Sequence, residues 1–434
     1  MDPKEFRFTP EGYITKRFGE IEFTDWIDES MAWKRTCSIG DWSWIWERRF
    51  KGPDAARLIS GTVINSFAKF DILQSKHATH CNEEGKVIAE GILTRLAEDE
   101  FVLMGRGSFW VDHVLRTGDY DVESTHEDWY NLQVQGPNAL PLLEKLSGSN
   151  LRNTKFMHNA EIEIAGHRLL ALRQGMSGEP GFELQGPREH QEEVYAEIVR
   201  VGQEFGLRKL GGRASNTGHL EACFPTIGLD YLPAIFGDDM KGYREGFLSS
   251  MPGFAAKFAV GGSFEGSDVT DWYRSPIELG WGKNIKFDHD FIGRSALEKE
   301  LASPRRVIRT LVWDADDVLD VYSSMFRQGD PYHFMEMPRE QRAVMTADKV
   351  LKNGREVGVA TSRGYSYHSR EMLSLVVIEP EFAELGTEVS VVWGNPGEIQ
   401  KHIKAIVAPA PYRDNRRVDL NKLYADSPVL AAQL

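Results

Sequence analysis

The residues of this sequence whose types and spacing best suit ligand chemistry form a glycine-rich segment with a carboxylate behind it. Gly175, Gly178 and Gly181 recur at three-residue intervals just before an apolar stretch that contains Glu183. Glycines allow the backbone to turn sharply or to approach a flat ligand closely. A carboxylate in the following strand can accept paired hydrogen bonds from a ring N–H and an amino group. Pterins present that pair, although a glycine turn before a strand is also common without any ligand.

Other motifs that would indicate metal or nucleophile chemistry are weaker. The sequence has no GxxxxGK[ST] loop, GxSxG elbow or HExxH helix. His77 and His80 form an HxxH pair without a third ligand nearby, which favours surface histidines over a metal site. The run 288–290 (DHD) is better explained as a turn, and Cys223 as a structural thiol. We therefore predict no metal site.

Length and composition limit the class of protein. A chain of 434 residues is too long for a single core, so we expect two or three packed domains. The net charge of −14 disfavours nucleic acid as a partner, because phosphate binding needs clustered Lys and Arg. No apolar run approaches the roughly 20 residues of a membrane-spanning helix, and the N-terminal residues lack the pattern of a secretory signal. We expect a cytoplasmic monomer or homodimer without a membrane partner.

The pattern of apolar residues predicts the elements that must position Glu183. Residues 87–105 and 160–175 each indicate a β-hairpin, with turns at 98–100 and at Ala165-Gly166. Residues 188–206 alternate charged and apolar side chains at helical spacing and stop at Gly206. The repeated order of two predicted strands followed by a helix predicts an α+β fold. Beyond residues 303–304, short strands separated by turns predict a small antiparallel barrel, so we divide the chain into domains 1–304 and 305–434.

Several segments together resemble the glycine-cleavage T-protein, or aminomethyltransferase, family. They are spread over most of the chain and comprise Ile64-Asn65-Ser66, Gln133-Val134-Gln135-Gly136-Pro137, GMSGEPGFE, GGRASNTGHLEACFP, Gly261-Gly262-Ser263-Phe264, KFDHDFIGRSALE and GVATSRGYS. KFDHDFIGR, GGSF and VVWG are most similar to one branch, the tetrahydrofolate-dependent O-demethylases that act on vanillate and syringate. The resemblance implies the aminomethyltransferase fold, with its folate site in the first region and a C-terminal β-barrel.

The resemblance also implies the reaction and the residues that bind the cofactor. In this family tetrahydrofolate takes the one-carbon unit, and in the demethylase branch the pterin nitrogen-5 receives the methyl group of a small aromatic ether, without metal or covalent intermediate. Alignment of the two substrates would then supply much of the rate. The resemblance assigns Glu183 to the pterin, and Gln133, Gln135 and Asn65 to the folate side of the site.

The aryl side of the site departs from the relatives. Arg106 matches the arginine with which such demethylases hold a substrate carboxylate, a geometry suited to guanidinium. A salt bridge at a strand end is the alternative role for Arg106. Where the relatives have a histidine-rich turn, this chain has Trp42, Trp44 and Trp46, so Trp42 and Trp44 become candidates for substrate contact. Their period of two is also typical of strand packing.

The expected proton donor to the leaving oxygen differs as well. Ser215 occupies the place of the relatives' tyrosine and is too weak an acid to replace it, although it could hold a water. His219, four residues further, shares a helix face with Ser215 if the segment is helical, and we predict it as the proton donor. Packing against its own helix is the alternative role for His219.

Three other functions remain open at this stage. Attack at the bridging carbon of a methylenedioxyphenyl ring would use the same folate geometry. An aminomethyl or N-methyl transferase would share Glu183 and the barrel, although KFDHDFIGR and GGSF favour the demethylase branch. A non-enzymatic iron–sulfur assembly factor is disfavoured, because the KGCYxGQE segment of that group corresponds here to IKFDHDFIGR, without a cysteine.

Overall fold

The computed structural model describes residues 3–7, 17, 19–250, 258–413 and 419–425. Within these residues the strands, in chain order, are β1 Cys37–Asp41, β2 Glu47–Lys51, β3 Ser75–Cys81, β4 Val87–Ala97, β5 Glu100–Met104, β6 Glu123–Glu127, β7 Trp129–Gln135, β8 Asn159–Ile164, β9 His167–Arg173, β10 Gly181–Pro187, β11 Leu207–Lys209, β12 Ala259–Gly261, β13 Val307–Trp313, β14 Val344–Thr346, β15 Asp348–Lys352, β16 Arg355–Ser366, β17 Glu371–Ile378, β18 Glu388–Trp393 and β19 Lys401–Ala408. The α-helices are α1 Trp26–Arg35, α2 Ala55–Ser60, α3 Gly107–Thr117, α4 Ala139–Ser147, α5 Gln191–Gly202, α6 Gly212–Glu221, α7 Arg294–Ala302, α8 Ala315–Ser324 and α9 Leu420–Ala425.

A six-stranded sheet of order β11-β1-β7-β10-β9-β8 carries Glu183 on its strand β10. Side chains alternate between its two faces, as they must along any strand. Leu132 and Val134 of β7 and Phe182 of β10 share a core with residues of α4 and α5. The polar residues between them, including Glu183, consequently point to the opposite face, and they are buried there too.

A five-stranded sheet of order β3-β4-β5-β2-β6 faces those polar residues. Its outer face packs on α2 and α3, with Phe50, Phe101 and Val111 in one apolar cluster. Its inner face approaches the six-stranded sheet, where the Nδ2 atom of Asn131 in β7 lies 3.0 Å from the Sδ atom of Met104 in β5. The polar face of one sheet therefore meets the other sheet, and the site described below lies between them.

The predicted C-terminal barrel is confirmed. Strands β13, β17, β16, β15, β18 and β19 close into an antiparallel barrel with its own apolar core. Its first strand begins at Val307. The division at residues 304 and 305 stays a prediction, and residues 414–418 and 426–434 lie outside the described part of the second domain.

The local elements expected around Glu183 are present. The two hairpins are β4–β5 and β8–β9, and the second turns at Ala165 and Gly166, both with positive φ. The predicted helix is α5, which is followed by a 3₁₀ turn that ends at Gly206 with φ +69°. No described helix is long and apolar enough to cross a membrane.

Candidate active site

A cavity of about 180 Å³ lies between the two sheets, closed on one side by α6. Its walls come from distant parts of the chain: the β1–β2 turn, strands β4, β5, β7 and β10, the segment after β9, and α6 with the loop that follows it. The described lining residues are Arg17, Trp42, Trp44, Ile45, Glu90, Gly91, Ile92, Met104, Gly105, Arg106, Asn131, Gln174, Met176, Glu183, Asn216, His219, Phe224, Thr226 and Ile227. Five of the residues predicted from the sequence meet here: Trp42, Trp44, Arg106, Glu183 and His219.

Glu183 is held by two amides at one carboxylate oxygen. It lies directly opposite Gln133 in the β7–β10 ladder, and opposed residues of an antiparallel pair project from the same face. Gln133 Nε2 donates to Glu183 Oε1 at 3.2 Å, and Gln174 Nε2 donates to the same oxygen at 2.7 Å. The second oxygen, Oε2, is buried without a hydrogen-bond partner among the described residues. Burial raises the pKa of Glu183 to about 7, with the amide hydrogen bonds opposing the shift.

This arrangement fits the edge of a pterin ring. A buried acceptor that lacks a donor carries a free-energy cost that a ligand can remove by donating to it. Glu183 lines the cavity and leaves Oε2 for such a donor, while Oε1 is positioned by Gln174 and Gln133. The amino group and ring N–H of tetrahydrofolate are donors of the required kind, and Glu183 would hold them.

The glycines before Glu183 shape the turn rather than touch a ligand. Gly178 has φ +78°, a conformation that favours glycine. A Cβ atom at Gly181 would lie 2.9 Å from the Val134 carbonyl oxygen and 2.9 Å from the Gln135 Cβ atom, too close for a side chain. These glycines are therefore required by the close approach of β7 and by the turn geometry, and the described cavity lining does not include them.

The tryptophan run is not a strand. Trp42, Trp44 and Trp46 lie in the turn between β1 and β2, so strand packing does not account for their spacing. Trp42 is buried and its indole stacks on the imidazole of His219, with 5.4 Å between ring centroids and 9° between planes. The ring centroids of Trp44 and Trp42 are 6.2 Å apart, and the Arg17 guanidinium lies 5.0 Å from the ring centroid of Trp44. The turn thus supplies an aromatic wall with one cation at its edge.

His219 lies on the cavity wall, where burial disfavours its charged form. Burial, with a smaller effect of Arg339, lowers its pKa to about 3, so the imidazole is neutral at physiological pH. Thr226 Oγ1 donates to the Phe224 carbonyl at 3.2 Å, and we therefore assign the proton to His219 Nδ1, which donates to Thr226 Oγ1 at 3.1 Å. His219 Nε2 is buried with no partner in the described residues. In this tautomer Nε2 is placed to accept a hydrogen bond, and the role of His219 as proton donor stays a prediction.

Arg106 contributes a second cation to the cavity lining. It follows β5 immediately and precedes α3, and its guanidinium lies 5.5 Å from the ring centroid of Phe258. Burial lowers its pKa to about 10, with the neighbouring Arg17 acting in the same direction, so Arg106 stays protonated at neutral pH. A desolvated guanidinium binds a carboxylate or stabilises an oxyanion more strongly than an exposed one.

Four other predicted residues are not part of the described cavity lining. Gln133 lies behind Glu183 and acts through the hydrogen bond given above. Gln135 is buried on the same face, two residues further along β7. Asn65 Oδ1 accepts a hydrogen bond from the Thr79 backbone at 3.4 Å, which ties it to β3. Ser215 donates its hydroxyl to the Gly212 carbonyl of its own helix at 2.8 Å, which leaves only its oxygen to accept a hydrogen bond from a water.

Sequence reasoning missed other residues of the cavity. Gln174, the closest partner of Glu183, directly precedes the glycine segment, and its position next to that segment was the available signal. Glu90 interrupts the apolar residues at the start of β4, and its Oε2 pairs with His77 Nε2 at 3.1 Å. Met104 and Met176 gave no signal, because methionine is common in any core.

The described residues contain no group of three or more His, Cys, Asp or Glu arranged to hold a metal ion. His77 and His80 are not surface residues, contrary to the sequence interpretation. His77 pairs with Glu90, and His80 is fully buried with its Nδ1 atom 3.0 Å from the Thr62 carbonyl oxygen. His77 and His80 lie three residues apart on β3, so their side chains point to opposite faces of the sheet.

Comparison with known proteins identifies the family of both regions of the chain. Residues 3–236 match the GCVT N-terminal domain and residues 333–414 match the glycine cleavage T-protein C-terminal barrel domain. Syringate O-demethylase from Sphingobium sp. is 36% identical over 94% of this chain and 91% of that protein. Sesamin methylene transferase from Sinomonas sp. is 32% identical, with 93% of each protein covered.

More distant relatives share the whole fold. An aminomethyltransferase from Lysinibacillus sphaericus is 24% identical over 90% of each chain. The crystal structure of aminomethyltransferase T from Bartonella henselae superposes with a TM-score of 0.68 and 19% identity, over 95% of this chain and 96% of that one. The chain therefore belongs to the glycine cleavage T-protein family, and it is a transferase that uses tetrahydrofolate as its cosubstrate.

Proposed function

We propose that this enzyme is an O-demethylase that transfers the methyl group of a small aryl methyl ether to nitrogen-5 of tetrahydrofolate. One observation carries the proposal: a single cavity joins the Glu183 carboxylate, the stacked rings of Trp42 and His219, and the partly buried cation of Arg106. These groups suit a pterin edge, an aromatic ring and an acidic substituent or leaving oxygen, respectively.

Glu183 and its two amides would set the angle of the pterin. Gln133 and Gln174 fix one carboxylate oxygen, so the other presents a single direction to the ligand. Tetrahydrofolate supplies the nucleophilic nitrogen that receives the methyl group. The chain's contribution is alignment, which can lower a barrier by several kcal/mol when both partners are held in line.

The opposite wall would bind the aryl ether. Trp42, Trp44, Phe224 and Met176 are apolar or aromatic lining residues that can sandwich a ring and exclude water. Arg106 would bind a ring carboxylate. The volume of about 180 Å³ is below the roughly 300–1,000 Å³ of sites that bury a whole drug-sized ligand, so the cavity suits the reacting ends of the two substrates.

The proton balance requires no strong acid in the cavity. The carbon–oxygen bond breaks, a carbon–nitrogen bond forms, and overall one proton passes from the folate nitrogen to the released oxygen. A phenol has a pKa of about 10, so a phenolate is a workable leaving group. Arg106 offers positive charge to such an oxygen, and His219 Nε2 would accept a hydrogen bond from a neighbouring phenolic O–H.

A panel of aryl ethers incubated with tetrahydrofolate tests the proposal. We expect 5-methyltetrahydrofolate, identified by mass, and one equivalent of the free phenol. The panel should pair each carboxylated ether with its neutral analogue. Absence of a methylated folate with every methyl ether would reject the O-demethylase assignment.

A methylenedioxyphenyl substrate is the second candidate. The relative that is 32% identical is named a sesamin methylene transferase, and the tryptophans here give this chain an apolar aryl wall. Such a substrate would yield a methylene-folate and a catechol instead of a methyl-folate. The same mass measurement therefore separates the two functions.

A further inference from the structure

A second, larger cavity lies between the first region and the barrel. Its volume is about 450 Å³, within the range of about 300–1,000 Å³ that small-molecule sites occupy. Val260 and Gly261 of β12 form one side, and Arg339, Ser362, Arg363 and Trp393 form the barrel side. The described lining residues of this cavity and those of the active-site cavity have no member in common, so the two are separate spaces.

Arg339 is buried at this cavity with neutral partners only. It is 6% exposed, and its Nη1 donates to the Asn216 carbonyl at 2.7 Å while Nη2 donates to Ser362 Oγ at 3.1 Å. The carboxylate that acts on it electrostatically, Asp230, is already engaged by the Thr361 hydroxyl and the Thr226 backbone N–H. No carboxylate of the described residues forms an ion pair with Arg339.

Arg363 repeats this pattern on β16. It is 8% exposed, donates from Nη1 to Met372 Sδ at 3.4 Å, and lies 5.3 Å from the ring centroid of Trp393. Among the described residues, it too has no carboxylate at ion-pair distance. Two buried guanidiniums with only neutral partners carry a large desolvation cost, and an anion in the shared cavity would offset it.

The acidic side chains around the cavity do not already supply that anion. Glu340 pairs with Arg342 at 2.8 Å, and Glu398 lies 3.0 Å from His333 Nδ1. Asp348 accepts a hydrogen bond from the Ser263 backbone at 3.0 Å, and burial raises its pKa to about 7. The positive charge of Arg339 and Arg363 is therefore only partly balanced.

We propose that Arg339 and Arg363 form an oxyanion site that binds a carboxylate or phosphate group. Two sources offer this chemistry: the glutamyl carboxylates of the folate itself, and a separate small anion. The first has a structural basis, because Asn216 lines the active-site cavity and its carbonyl accepts the hydrogen bond from Arg339. The active-site cavity is also too small for the whole cosubstrate, whose tail must extend beyond it.

Calorimetry on the full chain tests the site independently of any aryl substrate. Inorganic phosphate and glutarate serve as probes at constant ionic strength. We expect each to bind the wild-type protein, and Arg363→Gln to weaken binding at least about tenfold, as loss of a charge-assisted hydrogen bond does. Arg355→Gln is the matched control, because Arg355 lies on the same strand but is exposed and paired with Glu381 at 3.1 Å. Should Arg363→Gln not fold, Arg363→Lys keeps the charge and should still weaken both probes, because the planar fork is lost.

Tetrahydrofolate with one and with three glutamyl residues separates the two sources. If the tail occupies the site, the triglutamate form binds the wild-type enzyme more tightly, phosphate competes with it, and Arg363→Gln abolishes the difference. If a separate anion occupies the site, Arg363→Gln loses phosphate binding while both folates bind as before. Equal binding of every probe to the wild-type and Arg363→Gln proteins, or binding of none, would overturn the proposal.

Discussion

The imidazole of His219 lies parallel to the indole of Trp42, with 5.4 Å between the ring centroids. The contact joins the β1–β2 turn to α6 across the cavity and fixes the plane of the histidine. The hydrogen bond to Thr226 fixes its tautomer, so Nε2 is the atom left for a ligand. A neutral acceptor beside an aromatic wall suits a phenolic ring with a free hydroxyl.

His219→Phe tests this acceptor role. Phenylalanine keeps a ring against Trp42 but removes Nε2. We expect KM to rise roughly tenfold for ethers with a hydroxyl next to the methoxy group, the value of one hydrogen bond of about 1–1.5 kcal/mol, and to change little for ethers without it. Steady-state kinetics over a series of ring substituents decides the role. A loss of kcat that grows as the released phenol becomes less acidic would instead identify His219 as the proton donor.

Glu183→Gln should weaken tetrahydrofolate binding about thirtyfold to hundredfold, because a charge-assisted hydrogen bond is worth on the order of 2–3 kcal/mol. Calorimetry under anaerobic conditions measures the change. Glu161→Gln is the matched control, because Glu161 is an exposed residue of β8. Unchanged affinity in Glu183→Gln would remove this residue from the folate site.

The wild-type and Glu183→Gln proteins should also differ in the pH dependence of tetrahydrofolate binding. The raised pKa of Glu183, about 7, means that the carboxylate is progressively protonated as pH falls through 7. Since only the ionised form offers acceptors at both oxygens, wild-type affinity for tetrahydrofolate should decline below pH 7. The glutamine variant cannot titrate and should lose that part of the pH dependence. Parallel pH profiles for both proteins would assign the titration to another group.

Arg106→Gln should raise KM for a carboxylated aryl ether by at least about tenfold and leave the KM for its neutral analogue nearly unchanged, because only the first substrate loses a buried ionic partner. Arg116→Gln controls for general effects on α3, since that exposed arginine pairs with Asp112 at 3.0 Å. Equal losses on both ethers would indicate that Arg106 stabilises the leaving oxygen or the fold.

The local sequence pattern was enough to predict the strands around Glu183, but it did not predict the cavity between the two sheets. The alternation in β7 and β10 predicts strands with one apolar face, yet period alone does not reveal that the polar face is buried as well. The tryptophans show the limit most clearly: spacing of two residues also occurs in a turn. Gln174 reaches Glu183 through the connection between β9 and β10, whereas Glu90 enters the cavity only through the packing of the two sheets, which no single segment encodes. Resemblance to a family pointed to Glu183 and Arg106, because each matches a residue that the relatives use.

Ser215 and His219 illustrate why side-chain roles are harder to predict than positions. The helix predicted for them exists, as α6. The serine hydroxyl, however, bonds to a carbonyl three residues back, as serine often does within helices. The charge state of the histidine depends on burial by Trp42 and Phe224, which comes from tertiary structure.

Glu47→Gln should stabilise the protein at pH 8 and have little effect at pH 4. Glu47 is 1% exposed, its Oε1 atom has no hydrogen-bond partner in the described structure, and burial raises its pKa to about 9. A carboxyl whose folded pKa is raised contributes stability that is fully present below its unfolded pKa, about 4.5. That contribution is lost as pH rises towards 9, because the unfolded state ionises first. Glutamine keeps the shape without the ionisation, so the gain at pH 8 should be on the order of a few kcal/mol. Urea unfolding at both pH values measures it, with exposed Glu123→Gln as the control that should show no pH-dependent gain. A Glu47→Gln effect of equal size at pH 4 and pH 8 would mean that packing or hydrogen bonding, and not ionisation, sets the cost of this buried carboxyl.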